Sequence, residues 1–174
     1  MTTLTTDRLT LRPPLATDAE ALVPALNNFN VSRWTGRIPF PYGPDDAAAF
    51  LAHHLRPTPD ELMLMITRAG TVIGGIGVGS GELGYWLAEP HWGQGYGTEA
   101  ARALTDHAFE VLEREELVAS YHIGNAASRR ILLGLGFVET GEGSAFSRAR
   151  QAEVRHIKLR LARDAWREAK ERRR

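Results

Sequence analysis

The sequence predicts an α/β domain built on a mixed, mostly antiparallel sheet that contains one parallel β-α-β unit, with helices on both faces. Three strand-like segments follow one another between residues 61 and 89, and the short turns "RAG" and "SG" between them are typical of antiparallel hairpins. A helical pattern then lies between two apolar strand segments, which is the order of a right-handed parallel crossover. The length and the 43% of hydrophobic residues suit one core, so residues 1–174 are interpreted as a single domain.

The N-terminal part of the chain predicts a strand followed by two helices. "RLTLRPP" alternates apolar and polar residues before two prolines, as a short strand does. "TDAEALVPAL" places a capping box of Thr17 and Glu20 before apolar residues at helical spacing, and Pro24 is expected to kink or shorten that helix. "GPDDAAAFLAHHL" predicts a second helix that begins at Pro44.

The central part of the chain predicts three strands and the parallel unit. The strands are "ELMLMITRAG", "TVIGGIGVG" and "ELGYWLAE". The pattern then changes to a helix from about residue 97 to 113, and its buried face is expected to contain Ala100, Leu104, Ala108 and Val111. "ELVASYH" follows as the second strand of the parallel unit.

The C-terminal part predicts a helix, a late strand and a helical tail. "NAASRRILLGLGF" reads as a helix that Gly136 ends, and "AEVRHIKLRL" alternates imperfectly, as a strand does. Residues 161–174 contain Trp166 among many charges. They predict a helix that docks on the domain or on a partner subunit, or else an exposed amphipathic helix.

The composition excludes several classes of protein. Lysine and arginine number 21, as do aspartate and glutamate, and this balance argues against a bulk nucleic-acid binder. The chain has no cysteine, which removes disulfides, thiolate metal ligands and cysteine nucleophiles. No segment approaches the ~18 apolar residues of a membrane span, and the N-terminus lacks the pattern of a signal peptide. We therefore expect a cytoplasmic protein with no nucleic-acid or membrane partner.

The segment "HWGQGYGTEAA" places three glycines directly before a predicted helix. Gly93, Gly95 and Gly97 lie between a strand and the N-terminus of the crossover helix, where unpaired N–H groups and the helix dipole favour an anion. The interpretation is a phosphate site to which Thr98 adds a hydroxyl. A tight strand-to-helix turn without a ligand is the alternative. The segment is neither a Walker sequence nor a G-x-G-x-x-G dinucleotide motif.

A second group of polar residues starts the next helix. Asn125 is a good N-cap, and Ser128 lies one turn later. Both follow the strand "ELVASYH", whose carboxyl end lies beside the glycine loop if the two strands are parallel. Ligands collect at such ends. Simple capping by Asn125 and an ordinary helical serine are the alternatives.

These residues resemble a known family. "ELGYWLAEPHWGQGYGTEAARAL" followed by "NAASRRILLGLGF" resembles the GNAT superfamily of acetyl-CoA-dependent N-acetyltransferases, and most closely the branch with the ribosomal-protein N-terminal acetyltransferases. "TDRLTLRPPLATDAEAL" and "PFPYGPDDAAAFL" fit the same branch, so the resemblance covers roughly residues 6–137. It implies a sheet splayed at the parallel unit for acetyl-CoA, and acetyl transfer without a metal to a protein N-terminus or a small-molecule amine.

The resemblance also implies which residues bind acetyl-CoA. The family pattern Gln/Arg-x-x-Gly-x-Gly/Ala falls on residues 92–97, with Trp92 at its first position. This departure is expected to have little effect, because the family's loop contacts pyrophosphate mainly through backbone N–H groups. Pantetheine is implied to pair with the backbone near Leu87 and to contact Asn125. The implied binding residues are Leu87, Gln94, Gly95, Tyr96, Gly97, Thr98 and Asn125. Arg102, Arg129 or Arg130 could reach the 3′-phosphate or form a solvated helix face.

The family reaction is direct attack of an amine on the acetyl thioester, and it implies three roles. A base or a water chain takes the proton of the amine. Glu82 is the first candidate base, with an exposed carboxylate at the strand end as the alternative, and His122 is the second candidate. His53, His54 and His91 suit surface or capping positions. A backbone N–H near Leu87 would stabilise the oxyanion. Ser128 would assist the leaving thiolate, where many family members have a tyrosine.

The amine acceptor is the least defined part of the prediction. The family implies a pocket walled by "NNFNVSRWTGRIPFPYG", in which Trp34, Phe40 and Tyr42 form aromatic walls or ordinary packing. Arg33 and Arg37 suggest an acceptor with a carboxylate or a peptide carbonyl. A non-catalytic acetyl-CoA-binding domain and an unrelated phosphate-binding module stay as alternatives, and a homodimer is possible because dimers are common among relatives.

Overall fold

The computed structural model describes residues 2–56, 58 and 60–172. The strands of this part of the chain are β1 (Leu4–Thr5), β2 (Thr10–Arg12), β3 (Glu61–Arg68), β4 (Thr71–Gly79), β5 (Glu82–Leu87), β6 (Glu116–His122), β7 (Val138–Ser147) and β8 (Ala152–Ala162). The α-helices are α1 (Ala19–Leu26), α2 (Phe29–Ser32), α3 (Pro44–His54), α4 (Tyr96–Glu110), α5 (Ala126–Leu135) and α6 (Arg163–Glu171).

The strands form one mixed sheet. Their order is β1-β2-β3-β4-β5-β6-β8-β7. Neighbours pair antiparallel except β5 and β6, which are parallel and are joined through α4. The predicted fold class and its β-α-β unit are therefore confirmed.

Helices cover both faces of the sheet, as predicted, and each face has its own core. One core joins the sheet to α4, α5 and α6 and includes Leu104, Phe109, Leu117, Leu132 and Trp166. The other joins it to α1, α2 and α3 and includes Leu22, Leu26, Leu51, Met65 and Trp86. Since side chains alternate along a strand, successive residues of β5 and β6 serve different cores.

The first helix is capped differently from the prediction. No side-chain hydrogen bond joins Thr17 and Glu20 within the described residues; instead the Asp18 carboxylate accepts the Leu15 N–H at 2.8 Å, across the 3₁₀ turn Ala16–Asp18 that directly precedes α1. Asp18 is also the buried partner of Arg12, so its position is fixed by an ion pair across the chain. The helix ends at Leu26, two residues after Pro24, in agreement with the expected shortening.

Two further details differ from the sequence prediction. The crossover helix ends at Glu110, so Val111 lies beyond it and is 63% exposed, while Phe109 takes the core position. β7 was not predicted. Its segment "VETGEGSAFS" is rich in glycine and polar residues, but β7 is an edge strand whose pairing with β8 supplies the order that its sequence lacks.

The C-terminal tail docks on the same chain. Trp166 of α6 is 5% exposed and stacks on Phe109 with ring centroids 5.0 Å apart. Its indole N–H donates to Asp106 Oδ1 at 2.7 Å, and Arg163 donates to the Phe109 carbonyl at 2.9 Å. The tail is therefore part of the α4 side of the core and not an exposed amphipathic helix.

We predict that Trp166→Ala lowers the free energy of unfolding by about 3–5 kcal/mol, because it removes a large buried ring and leaves a cavity against Phe109. Urea denaturation measures this difference. Arg167→Ala on the same helix is the control, since Arg167 is exposed and its replacement should change the free energy by less than about 0.5 kcal/mol. Equal unfolding free energies for the two variants would contradict the docked position of α6.

Candidate active site

A gap opens in the sheet where β5 and β6 diverge. The two strands pair only at Glu82–Val118 and Leu83–Ala119. Beyond that point β5 continues along β4 as far as Leu87, and β6 continues along β8 as far as His122. The inner edges of both strands therefore lose their strand partner toward their carboxyl ends, which is where ligands collect in parallel units.

Backbone donors of β5 point into this gap. The Ala88 N–H donates to Ile73 of β4 at 2.9 Å, so by alternation the N–H groups of Leu87 and Tyr85 turn to the opposite side, toward β6. The Leu87 carbonyl accepts the indole N–H of Trp92 at 2.8 Å. Trp92 thus holds the end of β5 beside the glycine loop, although the family pattern has Gln or Arg at this position.

The glycine loop follows β5 and leads directly into α4. Gly93 and Gly95 have φ angles of 73° and 82°, in the left-handed region that favours glycine, and Gly95 is the N-cap of α4. The first N–H groups of α4 have no intrahelical partner and point toward the loop. Arg8 fixes the loop from outside, since it donates to the Gln94 carbonyl at 2.9 Å and forms an ion pair with Glu99.

Most of the loop residues predicted to bind acetyl-CoA would offer a ligand their backbone groups rather than their side chains. Tyr96 is 3% exposed and belongs to the core, under the guanidinium of Arg8 at 4.6 Å from the ring centroid. A Cβ on Gly97 would lie 3.1 Å from Ile131 Cδ1, so glycine here allows α4 and α5 to approach closely. The Gln94 amide donates to the Pro90 carbonyl. Thr98 is half-buried in the first turn of α4.

Asn125 and Ser128 lie on the other side of the gap, at the start of α5. Asn125 Oδ1 accepts the Ser128 N–H at 3.1 Å, so the capping role is present. The Asn125 side-chain N–H₂ makes no hydrogen bond within the described residues and is free for a ligand. Capping and ligand binding are therefore compatible in one side chain.

Tyr85 is a site residue that the sequence analysis missed. Its hydroxyl lies 3.0 Å from Ser128 Oγ, and thus links β5 to α5 beside the gap. Burial raises the pKa of Tyr85 to about 12, so the phenol keeps its proton at neutral pH. Alternation along β5 places Tyr85 on the same face as Leu83 and Leu87, but no sequence pattern indicates that its hydroxyl meets Ser128.

The two candidate bases share the face of the sheet that α1, α2 and α3 cover. Glu82 is exposed at the closed end of the gap, and its Oε1 accepts a hydrogen bond from Ser120 Oγ at 3.4 Å. His122 is 9% exposed at the open end, with Nδ1 3.3 Å from the Arg33 carbonyl. Burial is the main cause that lowers the pKa of His122, so its imidazole is neutral at neutral pH. With the proton on Nδ1, Nε2 is an acceptor.

The three aromatic residues that were predicted to wall the acceptor pocket lie in three different environments. Tyr42 is 4% exposed and is a core residue. Phe40 is exposed against Phe29, with ring centroids 5.3 Å apart. Trp34 lies over the loop that follows β6, where a Cβ on Gly124 would be 3.7 Å from its ring. Of the three, Trp34 is the ring that reaches the carboxyl end of β6.

The turn between β7 and β8 forms a second wall on this face. Arg148 N–H donates to the Gly36 carbonyl at 3.1 Å, and Arg150 Nε donates to the Arg33 carbonyl at 2.9 Å. The segment that contains Arg33 and Trp34 is thereby joined to a turn more than 100 residues later in the chain. Sequence spacing carries no signal for this contact.

The other predicted residues lie outside the gap. Arg102, Arg129 and Arg130 are exposed, and Arg129 forms an ion pair with Glu139 at 2.9 Å. His53, His54 and Glu61 each bring one ligand atom within 4.8 Å of the others, in a cluster between the end of α3 and the start of β3. The absence of a metal requirement stays a prediction. None of the helices in the described part of the chain is long and apolar enough to cross a membrane.

Known proteins resemble this chain over most of its length. An acetyltransferase (GNAT) domain model matches residues 8–138. The uncharacterized N-acetyltransferase p20 of Bacillus licheniformis is 28% identical over 151 residues, which cover 81% of this chain and 85% of that protein. The ribosomal-protein-serine acetyltransferase of Escherichia coli K12 is 37% identical over 60 residues, or 34% of each chain. The crystal structure of a probable acetyltransferase, 25% identical, superposes with a TM-score of 0.83 over 95% of this chain and 99% of that one.

These matches agree with the geometry of the gap. The range that the family model covers contains the diverging strands, the glycine loop and the start of α5. The resemblance read from the motifs is confirmed, and the chain belongs to the GNAT acetyltransferase family.

Proposed function

We propose that this protein transfers an acetyl group from acetyl-CoA directly to a primary amine, on a protein N-terminus or a small molecule. The observation that carries the proposal is the divergence of β5 and β6 directly before a glycine loop and a helix N-terminus. It supplies backbone donors for an extended amide chain and an anion site at its end. We also propose that the protein works in the cytoplasm, and that one acetyltransferase domain accounts for the chain.

The residues around the gap suit pantetheine and pyrophosphate. N–H groups of Leu87 and Tyr85 face the gap from β5, and the free amide of Asn125 faces it from α5. The loop from Gln94 to Gly97 and the hydroxyl of Thr98 surround the N-terminus of α4, where a diphosphate would be stabilised by N–H groups and the helix dipole.

The two faces of the gap suit two roles, removal of a proton from the amine and stabilisation of the leaving thiolate. Glu82, with His122 as the second candidate, would take the proton of the attacking amine on the α1–α3 face. Ser128, supported by Tyr85, would donate a hydrogen bond to the thiolate that leaves when the carbon–sulfur bond breaks. A backbone N–H near Leu87 would stabilise the oxyanion.

We predict that Thr98→Glu weakens acetyl-CoA binding by about ten- to hundredfold, because a carboxylate in the first turn of α4 repels a diphosphate at the same helix end. The change should not disturb folding, since a negative charge at a helix N-terminus is stabilising. It is a cleaner test than Gly97→Val, whose side chain would press on Ile131. Calorimetric titration of acetyl-CoA, with ATP for comparison, measures the affinity.

Thr140→Glu is the matched control, because it makes the same change on the exposed edge strand β7, outside the gap. It should leave the affinity unchanged. Equal affinities of Thr98→Glu and wild type, or tighter binding of ATP than of acetyl-CoA, would contradict the proposed site.

We predict that Glu82→Gln lowers kcat/KM for the amine by about 10²–10⁴-fold and leaves acetyl-CoA affinity unchanged, as loss of a general base does. His122→Gln should have a smaller effect. Because burial lowers the pKa of His122 from its ordinary value, its protonation should reduce the rate only at a lower pH than the one at which an ordinary histidine titrates.

The pH profile of kcat/KM separates the candidates. A larger loss in His122→Gln, together with loss of an acidic limb below pH 6.5, would assign the base to His122 instead. If both variants acetylate the amine as fast as the wild type, the proton of the amine would be taken by a water chain instead. An enzyme that binds acetyl-CoA but acetylates no amine would favour a non-catalytic domain.

We predict that Ser128→Ala and Tyr85→Phe each lower kcat by about ten- to hundredfold, since each removes a hydroxyl from the pair that would stabilise the thiolate. The double variant should lose little more than either single variant, because the two hydroxyls act through one contact. Steady-state kinetics beside calorimetric affinity for acetyl-CoA make the measurement. Strictly additive losses would show that Tyr85 and Ser128 act independently.

A further inference from the structure

Two arginines and a tryptophan form a cationic cluster on the acceptor face of the gap. The guanidinium of Arg33 lies 4.8 Å from the centroid of the Trp34 ring, and that of Arg150 lies 5.0 Å from it. We call these three residues the arginine clamp. Two positive charges therefore lie against one aromatic ring. The ring attracts each guanidinium group, whereas the two guanidinium groups repel each other.

The arginine clamp has no counter-ion. Within residues 2–56, 58 and 60–172, no carboxylate lies within 4.0 Å of a guanidinium nitrogen of Arg33 or Arg150. Other arginines of the chain, in contrast, form ion pairs with carboxylates. Arg33 Nε and Arg150 Nη2 are buried and make no hydrogen bond. Burial and the charge of Arg33 lower the pKa of Arg150, which reflects the same uncompensated charge.

Donors remain open at the clamp. Arg150 uses only its Nε in a hydrogen bond, to the Arg33 carbonyl at 2.9 Å. Nη1 and Nη2 of Arg33 and Nη1 of Arg150 have no hydrogen-bond partner within the described residues and are not among the enclosed atoms. The contact to the Arg33 carbonyl therefore holds the Arg150 side chain, the Arg33 guanidinium packs on Trp34, and a forked set of N–H donors is left unused.

The position of the clamp relates it to the amine site. The Arg33 carbonyl contacts His122 Nδ1 at 3.3 Å, and Trp34 covers Gly124, which immediately precedes Asn125. His122 and Glu82 lie on the same face of the sheet, on either side of the divergence of β5 and β6. A molecule that approaches the gap from this face meets the clamp at the open end.

We propose that the acceptor amine carries an anionic oxygen group, a carboxylate or a phosphate, that Arg33 and Arg150 bind together beside Trp34. This inference rests on the proposed acetyl transfer and names the class of its acceptor. Planar guanidinium forks match both anions, and an anion would also relieve the repulsion between the two arginines. Arg150 takes the place that the sequence analysis gave to Arg37, whose exposed side chain lines a pocket with Glu82 and Val118 at the closed end of the gap.

The experiment compares amines that differ only in the anionic group. The carboxylate arm is β-alanine against β-alaninamide, together with free-amino-terminal tripeptide amides that have aspartate or asparagine at the second position. The phosphate arm is phosphoethanolamine against ethanolamine. Transfer is followed by release of CoA thiol, and compounds that are not acetylated are titrated by calorimetry into the protein saturated with CoA.

Arg33→Gln and Arg150→Gln test the clamp. Each should raise KM, or Kd, for the anionic member of a pair by about ten- to hundredfold and leave the neutral member unchanged. Arg155→Gln is the matched control, because it removes the same charge five residues after Arg150, at an exposed position in β8 that is paired with Glu142. Lysine at position 150 should restore only part of the affinity, since it keeps the charge but loses the fork. Circular dichroism checks that each variant is folded.

The outcomes separate this inference from the proposed function. The clamp is supported if the wild-type enzyme prefers the anionic member of a pair and both glutamine variants lose this preference. The arm of the experiment with the stronger preference then identifies the anionic group as carboxylate or phosphate. Equal use of anionic and neutral amines, binding of neither, or equal effects of Arg155→Gln and the clamp variants overturns it. The affinity for acetyl-CoA, measured in parallel, shows whether the proposed cofactor site is supported even if the proposed role of the clamp is contradicted.

Discussion

The divergence of β5 and β6 is the constraint on which the rest of the site depends. Paired strands satisfy each other's N–H and C=O groups, so a fully paired sheet would offer a ligand no backbone donors. Here β4 supports β5 and β8 supports β6 on their outer edges, and only the inner edges are left open. The glycine loop and α4 then begin where β5 ends, because the parallel crossover must leave from that end.

The two faces of the gap have different chemistry because side chains alternate along both strands. Leu83, Tyr85 and Leu87 belong to the face with α4 and α5, where a buried phenol meets Ser128. Glu82, Ser120 and His122 belong to the opposite face, which is polar and is bordered by Arg33 and Arg150. A ligand that passes between the strands therefore meets hydrogen-bonding hydroxyls on one side and carboxylate, imidazole and guanidinium groups on the other.

The sequence predicted the fold class, the parallel unit and the position of the glycine loop before a helix, since each rests on local pattern: alternation, helical spacing, and glycines before a helix. It failed where order comes from a distant partner. β7 has weak strand character and exists through its pairing with β8. Val111 was placed one turn too far because helix ends are set by capping contacts that spacing does not encode.

The same distinction holds for the site. The sequence by itself indicated the two candidate segments, from Gln94 to Thr98 and from Asn125 to Ser128, because glycines before a helix and an N-cap residue are local signals. Only the tertiary structure decided that Tyr85 meets Ser128, 43 residues later, and that Arg150 meets Arg33 across 117 residues. Both contacts cross between elements whose side chains meet only after the sheet and its helices have packed, and no periodicity along the chain records such meetings.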